Sequence, residues 1–183
     1  MAYSFTEFSE QGKEVVEWLK REYTGISTGR ATPAILDLVS VESYGSRTAI
    51  PHVASVTIED PRTLRVAPWD KSQVKVIETA LRDADLGLSV SVDDAGLRIF
   101  FPQLTTERRA QLVKVLKDRL EDARVKIRLI RQEVQKDIEG QKKEGELPED
   151  DAKRASDELQ KKVDEYNGLL EDVFAKKEAE VMN

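Results

Sequence analysis

Between residues 116 and 138 the chain carries an apolar seam that leaves it few options. Leu116, Leu120, Ala123, Ile127, Ile130, Val134 and Ile138 step by four, three, four, three, four and four. That is a heptad-like pattern, and no Pro or Gly interrupts it from Thr105 to Glu139. It predicts a helix from Thr105 to about Lys142, roughly 55 Å long at ~1.5 Å rise per residue. Thr105 is the expected cap. Gly145 and Pro148 then break the pattern, and Pro148 with Glu149, Asp150 and Asp151 suits a helix start. Ala152, Ala155, Leu159, Val163, Tyr166, Leu170 and Val173 form a second seam. Near the N-terminus Phe5, Phe8, Val15, Leu19, Tyr23 and Ile26, with Val16 beside them, predict a helix from about Ser4 to Thr28, ended by Gly29. Seams this narrow are stable only against one another, so the three helices are expected to form an antiparallel bundle.

The middle of the chain follows a different period. Val39 and Val41, Val56 and Ile58, and Leu64 and Val66 alternate with polar residues, as strands do. Turns are expected at Tyr44-Gly45-Ser46 and Asp60-Pro61-Arg62. Asp70 and Gln73 have capping-box spacing for a helix that reaches about Ala84, with Val74, Ile77 and Leu81 inward. Leu88–Val92 and Leu97–Phe101 flank a hairpin turn at Asp93-Asp94-Ala95-Gly96. The fold class is therefore α+β. Residues 1–29 and 105–183 make a discontinuous bundle domain, and residues 30–104 an inserted β/α/β domain. Two short crossings join them, Gly29-Arg30-Ala31-Thr32-Pro33 and Pro102-Gln103-Leu104-Thr105, and such a pair is the expected site of a hinge.

Composition removes several kinds of chemistry. There is no cysteine, so thiol nucleophiles, disulfides and thiolate metal sites are excluded. His52 is the single histidine. It follows Pro51 in an expected loop with no triad partner nearby, and it is read as structural. Asp93-Asp94 reads as a turn and Glu149-Asp150-Asp151 as a helix start, so no metal site is expected. No P-loop or dinucleotide fingerprint occurs, and no cofactor is expected. Trp69 is read as core rather than as an exposed anchor. No apolar run approaches a membrane span, and the acidic first twenty residues do not resemble a targeting peptide. The expected compartment is the cytoplasm.

The formal net charge of −6 disfavours a globally basic nucleic-acid binder. The positive charge is nevertheless concentrated: residues 105–140 hold ten basic and seven acidic side chains. With Ile127 at zero, the seam lies within about 60°, and Arg131, Arg124, Lys117 and Arg128 fall near ~40°, ~60°, ~80° and ~100°. Four cations thus line one shoulder of the long helix. Either neighbouring helices supply carboxylates to neutralise them, or a phosphate-rich partner does. Spacing alone favours the first.

The ordered motifs settle on one family. They are Thr28-Gly29-Arg30-Ala31, Ala54-Ser55-Val56-Thr57, Pro68-Trp69-Asp70-Lys71-Ser72, Ile77-Glu78-Thr79-Ala80-Leu81, Asp85-Leu86-Gly87-Leu88, Leu104-Thr105-Thr106-Glu107-Arg108-Arg109, Ala123-Arg124-Val125, Arg128, Ile130-Arg131 and Lys177-Glu178-Ala179-Glu180. In this order and spacing the chain resembles bacterial ribosome recycling factors from end to end. The resemblance implies an L-shaped, tRNA-sized monomer without an active site. With elongation factor G and GTP, such a factor splits the post-termination ribosome, freeing mRNA and deacylated tRNA. It also implies that the bundle contacts large-subunit rRNA through Arg30, Arg108, Arg109, Arg128 and Arg131, with Arg124 at a further recurrent basic position. This tips the stripe toward the phosphate reading. Ser27 and Gln132 stand where the family is usually basic, and Phe101 and Gln103 make the second crossing less Pro-rich. Two alternatives remain beside this one: a divergent ribosome-binding paralogue without recycling activity, and a helical scaffold whose open seam takes a protein partner. An enzymatic reading around His52 is a third.

Overall fold

A computed structural model describes residues 3–183. Its elements run in the order α1 (Thr6–Thr24), β1 (Ser40–Ser43), β2 (Ser46–Ala49), β3 (Ala54–Asp60), β4 (Thr63–Pro68), α2 (Val74–Asp83), β5 (Ser89–Asp93), β6 (Gly96–Phe100), α3 (Thr106–Glu144) and α4 (Glu149–Met182). Short 3-10 turns lie at Pro33–Leu38, Ile50–His52 and Lys71–Gln73. The chain divides into two compact units, residues 1–23 with 111–183 and residues 24–110. The architecture is α+β, with a helical unit and a unit built on an antiparallel sheet.

Side-chain pairs fix the direction of each helix in the first unit. Tyr3 donates to Asp137 at 2.7 Å, Lys126 lies 3.4 Å over the Trp18 ring, Glu22 pairs with Arg119 at 3.3 Å, and Tyr23 donates to the Leu116 carbonyl at 2.7 Å. Numbers rise along α1 as they fall along α3, so these helices are antiparallel. Lys142–Glu149, Gln135–Ser156 and Arg124–Glu171 show the same for α3 and α4. Phe8 meets Tyr166 edge-on, and Tyr166 donates to the Ser9 carbonyl at 2.8 Å, joining α1 to α4. The seams close on one another: Leu19, Leu116, Ala123, Ile127, Leu159 and Leu170 are all buried. The scaffold alternative requires a seam left open for a protein partner, and these residues close it.

The seams are displaced from their expected course in three places. The first helix ends at Thr24 rather than Thr28. Gly29 does adopt a left-handed φ of 77°, but five residues beyond the helix, where a Cβ would stand 3.2 Å from the Pro102 carbonyl oxygen. In α4 the seam continues through buried Phe174 while Val173 is only half-buried. Gly12 is part of the α1 seam, with the Tyr166 ring 2.7 Å from where its Cβ would be.

In the second unit the four-stranded sheet has the order β3-β4-β6-β5, antiparallel throughout. Ile77 and Leu81 of α2 bury against Leu64, Val66, Leu97 and Ile99. A separate hairpin pairs β1 with β2, and β2 is a strand beyond those read from the sequence. Asp70 caps as expected, accepting from Ser72 N–H at 2.8 Å. The reciprocal half of the capping box does not form, because a 3-10 turn occupies Lys71–Gln73, and the Gln73 Oε1 is buried with no partner among the described residues. Trp69 is not core; it is 72% exposed, just past the end of β4 at Pro68, where the strand alternation no longer governs its direction.

Both crossings are tied to the β3–β4 turn. The Ala31 N–H donates to the Pro61 carbonyl at 2.9 Å, and the Phe101 N–H to the Arg62 carbonyl at 2.8 Å. Thr32 precedes the 3-10 turn that Pro33 starts, and its hydroxyl donates to the Arg30 carbonyl at 3.4 Å. Thr105 caps α3: its hydroxyl oxygen accepts from the Arg108 N–H at 3.2 Å.

Candidate nucleic-acid interface

The long α3 brings Lys117, Arg124, Arg128 and Arg131 onto one shoulder over fourteen residues, or about 21 Å of axis. They do not share one environment. Arg124 is half-buried and doubly engaged, paired with Glu171 of α4 and with Glu121 at 3.6 Å. Arg128 has 60% of its side chain exposed and, among the described residues, reaches only Glu121, at 3.8 Å. Arg131 and Lys117 are exposed and have no carboxylate partner among the described residues. Neutralisation from neighbouring helices thus holds for Arg124 and stops there.

The basic side chains between these, on the opposite flank of α3, are engaged within the bundle. Arg119 pairs with Glu22 and with Asp122 at 3.4 Å, and Lys126 covers Trp18. From Lys117 to Arg131, the cations left open are therefore on the shoulder that periodicity picks out. Arg108 is exposed and Arg109 half-buried, both in the first turn of α3. Arg30 is exposed in the second unit, as is His52, which ends a 3-10 turn. Among the described residues no group of acidic or His side chains is arranged to hold a metal ion, and no helix is long and apolar enough to cross a membrane.

Two carboxylates stand beside these cations, and a pattern of positive charge does not include them. Glu121 lies three residues before Arg124 and seven before Arg128, at ~120° on the same wheel, at the edge of the basic stripe. Its spacing was a usable signal. Glu171 had no such signal, since only the packing of α4 on α3 brings it to Arg124.

Exposed arginines spaced along a rigid helix suit phosphate oxygens, because the guanidinium fork donates in pairs and stays charged. An α+β protein with a three-helix unit, an antiparallel sheet unit between its first and second bundle helices, and a cationic shoulder on the longest helix has the features of a polyanion binder. Residues 19–182 match the sequence profile of the ribosome recycling factor family. The ribosome-recycling factor of Symbiobacterium thermophilum is 43% identical over 94% of both chains, and that of Thermotoga maritima 41% identical over 96% of this chain and 95% of its own. A solution structure of a ribosome recycling factor superposes with a TM-score of 0.81 at 35% identity, covering 97% of this chain and 95% of the other. A structure of the T. thermophilus factor, described with E. coli elongation factor G on the E. coli post-termination complex, gives a TM-score of 0.68 at 40% identity over 98% and 97% of the two chains. The chain belongs to the ribosome recycling factor family.

Proposed function

We propose that this chain recycles bacterial ribosomes after termination. Together with elongation factor G and GTP it splits the post-termination ribosome into subunits, and mRNA and deacylated tRNA are released. The observation that carries this reading is the family match along nearly the whole chain, with relatives that align over more than nine-tenths of both partners. The chain acts in the cytoplasm as a monomer and performs no bond chemistry; elongation factor G hydrolyses the GTP.

In this reading Lys117, Arg128 and Arg131 are the main contacts to large-subunit rRNA, with Arg30, Arg108, Arg109 and Arg124 around them. The exposure of Lys117, Arg128 and Arg131, and the lack of carboxylate partners at Lys117 and Arg131 among the described residues, support it. Contacts of this kind recognise phosphate and RNA shape rather than base sequence, and they weaken with salt. The two crossings serve as a hinge. Within the hinge segments 29–33 and 102–105, Ala31 is hydrogen-bonded to the β3–β4 turn, as is Phe101 beside them, and Thr105 caps α3.

The test is a polysome-breakdown assay with elongation factor G and GTP from the same organism. Polysomes should collapse to subunits and monosomes when all three are present. An unchanged gradient profile with the active elongation factor would overturn the reading.

A further inference from the structure

We infer that Glu121 and Glu171 are built-in counter-ions that hold down the ribosome affinity of the basic shoulder and so set how fast the factor leaves. The inference rests on the basic-face reading of the proposed function and adds two residues to it.

Glu121 lies at the edge of the stripe it opposes. Its carboxylate is 3.6 Å from Arg124 and 3.8 Å from Arg128, so one group addresses two guanidinium ions on successive turns. Glu171 reaches Arg124 from the neighbouring helix. Both carboxylates are solvent-accessible, with 57% and 48% of the side chain exposed. Neither is needed to satisfy a buried charge, and exposed pairs contribute little to stability. Their effect falls on the partner instead. A phosphate approaching Arg124 or Arg128 must displace a carboxylate already there, and the displaced carboxylate then stands beside the phosphate as a like charge. The stripe is thereby graded: Arg131 and Lys117 are open, Arg128 is loosely held, and Arg124 is fully held.

A factor that must both bind the ribosome and leave it each cycle gains from such a gradient. The open cations make the encounter, and the held ones limit how tight the complex becomes. Removing the carboxylates should therefore tighten binding and slow departure.

The experiment measures equilibrium binding to ribosomes of Glu121→Gln, Glu171→Gln and the double variant across a salt series, with dissociation rates at one salt. Glu133→Gln is the control, a like charge change on the far side of α3. Glu121→Gln should bind about 3- to 10-fold more tightly, chiefly through slower dissociation. The double variant should also steepen the slope of log K against log salt by about 0.7–0.9 for each additional phosphate neutralised. The control should change affinity less than about 2-fold, the scale of an exposed charge away from the stripe. Arg128→Glu/Arg131→Glu is run alongside. If that reversal abolishes binding while Glu121→Gln and Glu171→Gln bind as wild type or more weakly, the counter-ion role is refuted and the basic face stands. If the reversal binds as wild type, the basic face fails and this inference with it. Equal tightening by Glu133→Gln would reduce the effect to net charge and refute it as well.

Discussion

The arginines of the sheet and those of the long helix are put to opposite uses. On the exposed face of the sheet Arg65 and Arg98 lie opposite one another on β4 and β6. Each is bracketed by carboxylates: Arg65 holds Glu59 at 3.2 Å and Asp93 at 2.7 Å, and Arg98 holds Glu59 at 2.8 Å and Asp93 at 3.6 Å. Two cations and two anions thus run across all four strands, and the positive charge is neutralised inside the unit. On α3 the same residue type is left progressively unpaired from Arg124 to Arg131. A count of basic residues cannot separate these cases. What separates them is whether the fold brings a carboxylate to each guanidinium.

The largest expected effect breaks this comparison at the helix. Arg128→Glu/Arg131→Glu should lower ribosome affinity by more than about 100-fold, since two phosphate contacts become repulsions. The thermal melt should stay close to wild type, because neither side chain packs in the bundle. Binding within a few-fold of wild type would remove the site assignment.

A second test concerns the rigidity that holds the stripe in line. At Gly12 a methyl group would stand 2.7 Å from the Tyr166 ring, which is held in place by its bond to Ser9. Overpacking of this kind costs roughly 1–3 kcal/mol, against a gain of up to ~1 kcal/mol in helix propensity. Gly12→Ala should lower the melting temperature. Gly168→Ala has nothing within 4 Å and an exposed helical position, so it should raise stability by up to ~1 kcal/mol. Chemical denaturation of the two variants checks the opposite signs.

At the sheet the expected effects are smaller and depend on pH. Glu59 is held below its ordinary carboxylate value chiefly by the hydrogen bond from Arg98, and Asp93 by that from Arg65. A carboxylate whose folded value is depressed contributes stability above its unfolded value of about 4 and loses it as pH falls through the folded value. Wild type should therefore melt above Glu59→Gln/Asp93→Asn at pH 7, and the gap should close as pH drops below about 4. A gap that persists in acid would mean the network acts by something other than charge. The smallest effect is at Gln73, whose buried Oε1 has no partner among the described residues. Gln73→Met should be neutral or slightly stabilising by denaturant titration, because an unpaired buried acceptor is removed.

What is legible in the sequence follows the range of the interaction that fixes it. The α3 seam, the Thr105 cap and the alternation of β3, β4, β5 and β6 are set by neighbours a few residues away, and they stand where periodicity puts them. The end of α1 departs from its expected place because Gly29 carries a helix-stop signature but serves a close approach to Pro102. Phe174 takes the inward place in α4 ahead of Val173, and both satisfy a heptad within one residue. Trp69 is exposed because β4 has ended. For the stripe, the helix wheel locates four cations, and it also holds Glu121, which a count of positive charges alone leaves out. Glu171 is out of reach of any local pattern, because it meets Arg124 from a helix 47 residues away in sequence.

The most direct measurement sets the two arginine pairs against each other in one reaction. Light scattering follows the splitting of post-termination ribosomes by elongation factor G, GTP and either wild type, Arg65→Gln/Arg98→Gln or Arg128→Glu/Arg131→Glu. Wild type and the sheet variant, at a temperature where both are folded, should split ribosomes at similar rates, and the helix variant should not split them. Splitting by the helix variant at the wild-type rate, or no splitting by wild type, would contradict the account.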